Sequence, residues 1–97
     1  MPAVARIGDP VTCGDTMAQG SGDVFSNGIP VSRQTVDFTA GHSCYPPVNF
    51  PAGSSTVFVN NLQILRVGDA HNTHACPSSP PHGGSVAVGA PDVFAGG

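Results

Sequence analysis

One stretch of nine residues occurs three times in this chain, and no other feature limits its possible folds as tightly. The first copy runs Gly20-Ser21-Gly22-Asp23-Val24-Phe25-Ser26-Asn27-Gly28, and the second Gly53-Ser54-Ser55-Thr56-Val57-Phe58-Val59-Asn60-Asn61. The third, Gly89-Ala90-Pro91-Asp92-Val93-Phe94-Ala95-Gly96-Gly97, ends the sequence. The first two copies continue alike, through Ile29-Pro30-Val31-Ser32-Arg33 to Val36-Asp37, and through Leu62-Gln63-Ile64-Leu65-Arg66 to Val67-Gly68-Asp69. The missing continuation of the third stands at the N-terminus, as Pro2-Ala3-Val4-Ala5-Arg6-Ile7-Gly8-Asp9. With Met1 set aside, joining Gly97 to Pro2 restores the register. Arg6, Arg33 and Arg66 then share one repeat position, and they are the only basic residues in the chain. Three structural units follow, one of them assembled from both termini.

Each unit reads as a β-hairpin. The Val-Phe pairs have strand propensity, and Asn27-Gly28, Asn60-Asn61 and Gly96-Gly97 tolerate the positive φ of a tight turn. A lone hairpin is marginal in water, so the expectation is that three pack about an axis and bury Val24, Val57, Val93 and their Phe neighbours together. The connecting segments, roughly 10–22, 38–55 and 70–91, are rich in Gly, Pro and Ser, and they hold every Cys and His. Pro46, Pro47, Pro51, Pro77, Pro80 and Pro81 exclude long helices there. The expected fold is therefore all-β, a single domain over 1–97, with hairpin turns at one end and loops gathered at the other.

Charge excludes several function classes. With three Arg, no Lys and a net charge of −3, the chain cannot track a phosphate backbone. No apolar run approaches the ~18 residues of a membrane span, and no basic region precedes an apolar stretch at the N-terminus, so no general export signal is expected. Catalysis is poorly supplied. There is no Glu, and Asp15 is the only acid outside the repeated positions. Neither a phosphate-binding Gly-rich loop nor a nucleophile elbow is present.

The loops carry metal-ligand chemistry. Counted from the Asp that closes each hairpin, His42 and Cys44 follow Asp37 at the same offsets as His74 and Cys76 follow Asp69. Cys13, in the loop after Asp9, comes closest to the equivalent His position. Three equivalent ligands around an axis leave tetrahedral zinc one short, and His82, beside Gly83-Gly84, supplies the candidate fourth. The set is Cys13, His42, His74 and His82, with Cys76 and then Cys44 as alternates. His71, present in one loop only, reads as an exposed residue. An odd cysteine count favours metal over a complete disulfide framework.

Pro2-Ala3-Val4-Ala5-Arg6, the Val-Phe-x-Asn-Gly turn, Arg66-Val67-Gly68-Asp69 and Cys76-Pro77 followed by His82-Gly83-Gly84 resemble the PAAR-repeat family over essentially the whole chain. The sequence departs from that pattern in the extra residue of Pro2–Arg6, in Asn61 for the usual turn Gly, and in Cys13 where many relatives carry His. The resemblance implies a small conical β protein, zinc-bound near its point by three His and one Cys. It further implies a non-catalytic tip on the trimeric β-helical, membrane-piercing spike of a contractile phage tail or type VI secretion system. The expected place is then a phage virion or the cytoplasm before delivery. The hairpin ends, Asn27, Gly28, Asn60, Asn61, Gly96 and Gly97, are the candidate contacts to the trimer. An adaptor that recruits an effector, and a generic structural zinc module, are the competing readings. The adaptor reading is disfavoured because family relatives use fused extensions, which this sequence is not expected to carry.

Overall fold

The computed structural model describes residues 2–41, 45–76 and 79–96. They form an all-β structure in which no helix occurs among the described residues. β1 (Phe25–Ser26) pairs antiparallel with β2 (Ile29–Pro30), and β3 (Phe58–Val59) with β4 (Leu62–Gln63), in identical register. The turns form because Asn and Gly accept left-handed backbone: φ is 55° at Asn27, 76° at Gly28, 53° at Asn60 and 67° at Asn61. Asn61 therefore adopts the conformation of the Gly it replaces.

The third hairpin is closed by the two ends of the chain. Ala3 bridges Phe94, Val4 N donates to Val93 O at 3.0 Å, and Ala95 N donates to Pro2 O at 3.0 Å. The same bond recurs in the other units, from Val31 N to Val24 O and from Ile64 N to Val57 O. The three return strands then meet in a closed cycle. Ala5 N donates to Leu65 O (2.8 Å), Leu65 N to Ser32 O (3.0 Å), and Ser32 N to Ala5 O (3.0 Å). A cycle of three equivalent bonds satisfies donors and acceptors that would otherwise be buried without partners. It also defines a pseudo-threefold axis.

One glycine per repeat makes this closure possible. A Cβ on Gly20 would meet Val31 O at 2.8 Å, and Cβ atoms on Gly53 and Gly89 would come closer still to Ile64 O and Val4 O.

Two apolar clusters stack along the molecule, whose extents are 38 × 23 × 21 Å. Val4, Val31, Val59, Ile64 and Ala95 fill the hairpin half, and Ala5, Val11, Met17, Phe50, Leu65 and Val86 fill the loop half. The expected core of Val24, Val57, Val93 and their Phe neighbours is overturned, since all six side chains are exposed. The buried residue of each outgoing strand is the next one, Ser26, Val59 or Ala95. Successive strand side chains alternate sides, and the space beside a threefold axis admits three small groups but not three phenyl rings.

The third loop is not structureless. β5 (His74–Cys76) pairs antiparallel with β6 (Ser79–His82), with an irregularity in register between His74 and Cys76. Successive N–H groups alternate sides, so one of Pro80 and Pro81 falls on the open edge of this two-stranded sheet, and the other falls within the register irregularity opposite the His74–Cys76 segment.

Candidate metal centre

Cys13 reaches the centre on a tight loop. Pro10 bridges Thr16, Val11 N donates to Asp15 O at 2.8 Å, and Gly14 takes φ 97°. This fold projects the half-buried thiol, a free cysteine, against His71, with Sγ 3.4 Å from Nε2. His71 is buried, against the expectation of exposure. Its main chain is held by the Ala70–Ser85 bridge and by a 2.9 Å bond from His71 N to Gly84 O. Its ring lies edge-on to Phe50, with centroids 5.6 Å apart. His74, also buried, comes from β5, and its Nε2 lies 2.8 Å from Nε2 of His82 on β6.

Hydrogen bonding settles the tautomers of both buried imidazoles. A carbonyl oxygen only accepts, so His71 Nδ1 carries the proton it gives to Asn72 O (2.6 Å), and His74 Nδ1 the proton it gives to Pro46 O (2.9 Å). In the neutral rings each Nε2 is left with its lone pair, the form a metal ligand requires. Tyr45 walls this side. Its ring stacks at 4.0 Å on His82 and 4.9 Å on His74, and its hydroxyl donates to Pro80 O at 2.7 Å.

One ligand atom each from Cys13, His71 and His74 lies within 4.8 Å of the others, so these three could hold a metal ion. The Cys13–His71 separation suits one, because tetrahedral ligands at about 2.3 Å (S) and 2.0–2.1 Å (N) sit about 3.5 Å apart. Gly84 leaves the necessary room. A Cβ there would meet His71 Nε2 at 2.8 Å and Cys13 Sγ at 3.0 Å.

Of the residues expected from sequence, Cys13 and His74 lie in this cluster, and His82 touches it through His74. His42 and Cys44 lie outside the described residues. Cys76 is in a disulfide, which withdraws its sulfur from the ligand set. His71 is the member that repeat spacing could not find, because it has no equivalent in the other loops. Its only signal was its position three residues before His74.

At the opposite end the hairpin turns are locked to their neighbours. Arg6, Arg33 and Arg66 each pair with the Asp that closes their own unit, at 3.2, 2.8 and 3.0 Å to Asp9, Asp37 and Asp69. Each also reaches the next turn. Arg6 donates to Asn27 Oδ1 (3.3 Å), Arg33 to Asn60 Oδ1 (3.1 Å) and Arg66 to Gly96 O (3.0 Å). Asn27 Nδ2 and Asn60 Nδ2 then donate to Asp92 and Asp23, and Ser54 Oγ donates to Gly96 O at the third corner. Bonds from Asn60 and Ser21 hold the Asp23 carboxyl below its ordinary value of 3.8, and Asp37 raises the Arg33 guanidinium above its own. The polar groups of Asn27, Asn60 and Gly96, expected to face a partner, are engaged in joining the repeats. Gly28 and Asn61 are exposed, and Gly97 lies outside the described residues.

No protein-family model matches the chain, and no curated protein matches it.

Proposed function

We propose that this chain is a PAAR-like tip, a zinc-stabilised, non-catalytic cone that caps the end of a trimeric β-helical spike in a contractile injection machine. The observation that carries the reading is the closed, buried cycle of Ala5, Ser32 and Leu65, about which one short polypeptide sets out three equivalent hairpins. A single chain with that symmetry can meet three identical subunits in equivalent ways. It can also cover the strand edges that a β-helix leaves open at its terminus. Zinc is the metal that best suits one thiolate and neutral imidazoles, with Cys13, His71 and His74 as ligands; His82, whose Nε2 lies 2.8 Å from His74 Nε2 but outside that group of three, would have to swing inward to become the fourth. A closed site of four protein ligands leaves no position for a reactive water, so the metal's role is to pin loops that have little core of their own. A structural zinc module for an unrelated partner would explain the Cys13, His71 and His74 cluster but leaves the threefold end without a purpose.

The test is co-purification with the trimeric spike protein of the same genome, followed by stoichiometry and elemental analysis. One chain per trimer and one zinc per chain are expected. Failure to bind the trimer would refute the capping role, and protein purified without stoichiometric metal would refute the zinc.

A further inference from the structure

We infer that the contact to a threefold partner is made by three exposed Val-Phe pairs, Val24/Phe25, Val57/Phe58 and Val93/Phe94, and that the partner presents cationic side chains beside its apolar sites. The inference rests on the capping reading, and it names both the surface and the chemistry of what covers it.

The first observation is symmetry in exposure. Val24 and Phe25 are 37% and 55% exposed, Val57 and Phe58 are 37% and 55%, and Val93 and Phe94 are 39% and 50%. Single apolar residues on a surface are ordinary, but six large ones at repeat-equivalent positions form a patterned surface. Nor are these pairs needed inside, because Ser26, Val59 and Ala95 already fill the inward positions of the same strands.

The second observation is where the charge lies. Of six Asp residues, Asp9, Asp37 and Asp69 are neutralised by the three Arg residues. Asp15 is buried. The remaining two, Asp23 and Asp92, are exposed, and each immediately precedes a Val-Phe pair. At the third corner the same position is Thr56. The net negative charge that solvent can reach therefore borders the apolar pairs. Hydrogen bonds from Asn60 and Asn27 orient the two carboxylates (2.9 and 3.0 Å).

This distribution selects the occupant. A second copy of this chain, face to face, would set Asp23 and Asp92 against their own kind, and it has no unpaired Arg to set opposite them, since all three are engaged with Asp. A homotrimer whose chains each present an apolar site flanked by Lys or Arg fits all three pairs and gains two charge contacts.

The experiment measures binding of the full chain to the purified trimeric spike protein of the same genome. Its variants are Phe25→Ser, Phe58→Ser and Phe94→Ser, singly and combined, together with Asp23→Asn/Asp92→Asn and Thr56→Asp. Each single Phe variant should weaken binding by about tenfold and by similar factors, as loss of a contact worth more than 1 kcal/mol does. The triple variant should not bind measurably, while zinc content and melting temperature stay near those of the parent. The double Asn variant should associate more slowly at low salt, and Thr56→Asp, which leaves the apolar pairs intact, should associate faster. Parent-like affinity in the triple variant would overturn the inference and leave the capping role standing. So would dependence on one Phe alone, or a self-dimer of the parent that the Phe variants abolish. A parent chain that ignores the trimer would overturn both.

Discussion

Thr35 offers a test of how strictly the repeat governs the backbone. Gly8 and Gly68 sit between the Arg and the Asp of their units with φ of 89° and 95°. The middle unit has one residue more in that stretch, and Thr35 takes the left-handed conformation there, with φ 69°. A β-branched residue in this region is crowded against its own backbone, at a cost of roughly 1–2 kcal/mol. The conformation is imposed from outside, because Thr35 N donates to Phe50 O at 2.8 Å and Thr35 O accepts from Asn49 Nδ2 at 2.9 Å. The side chain is exposed and contributes little packing. Thr35→Asn should therefore stabilise the protein by about 1 kcal/mol, since Asn tolerates positive φ. Thr35→Gly removes more strain but loosens the unfolded chain by about 0.5–1 kcal/mol, for a net gain of about 0.5–1 kcal/mol. The reciprocal change, Gly68→Ala, meets nothing within 4 Å of the new Cβ, so its expected cost of about 1–2 kcal/mol is backbone strain alone. In thermal or urea unfolding, 1 kcal/mol amounts to about 4–8 °C in a domain of this size. If both Thr35 variants melt no higher than the parent and Gly68→Ala melts no lower, conformational strain is not what distinguishes this position.

Gly53→Ala places a methyl against the Ile64 carbonyl, which accepts the bond from Ser54 N beside the ring; a loss of about 2–3 kcal/mol is expected, read by urea unfolding. Leu65→Ala empties a fully buried position in the loop-side cluster and should cost about 2–5 kcal/mol, while the Leu65 backbone bonds persist in amide exchange. Asp23 is stabilised in its ionised form, so its contribution is present above pH 3.8 and lost as pH falls through its lower folded value. Removing the donor in Asn60→Ala should move the Asp23 carboxyl titration upward by NMR, and an unmoved titration would contradict the bond. Deleting residues 90–97 withdraws Ala95 and the strand paired with Ala3 and Val4, and circular dichroism should report unfolding and not a trimmed tail.

The repeat was legible in the sequence because closing a threefold ring makes the same demands three times. It needs a glycine where the return-strand carbonyl approaches and an Arg and an Asp that find each other, and the two continuous turns add positive φ at Asn27-Gly28 and Asn60-Asn61. The inward and outward faces were not legible. In Asp23-Val24-Phe25-Ser26 the apolar residues look like core, yet the axis leaves room for Ser26 and not Phe25. Hydrophobicity ranks residues by their cost in water and does not register how narrow the interior is. The metal cluster was half legible for a related reason. Spacing finds residues that repeat, such as His74, but His71 is brought to Cys13 by bonds from the last loop, through Gly84 and Ser85. The β5–β6 pairing was hidden by the prolines, which rule out a helix and an inner strand but not a two-stranded ribbon.

The ring of Ala5, Ser32 and Leu65, together with the pairing of Ala3 to Phe94, also sets a timetable for synthesis. Ribosomes add about 5–20 residues per second, so the segment around Ala3 leaves the tunnel seconds before its partner strand has been made. The ring itself lies within residues 5–65, but the hairpin that anchors Ala3 and Val4 is completed only by Val93, Phe94 and Ala95. During that interval the nascent chain carries open strand edges, and the residues destined for both apolar clusters are uncovered. The final step waits for Val93, Phe94 and Ala95, and its long-range contacts make it slow for a chain of this length. Exposure to aggregation is greatest in that interval, when a neighbouring chain at high concentration can supply the strand that Val93, Phe94 and Ala95 have yet to provide.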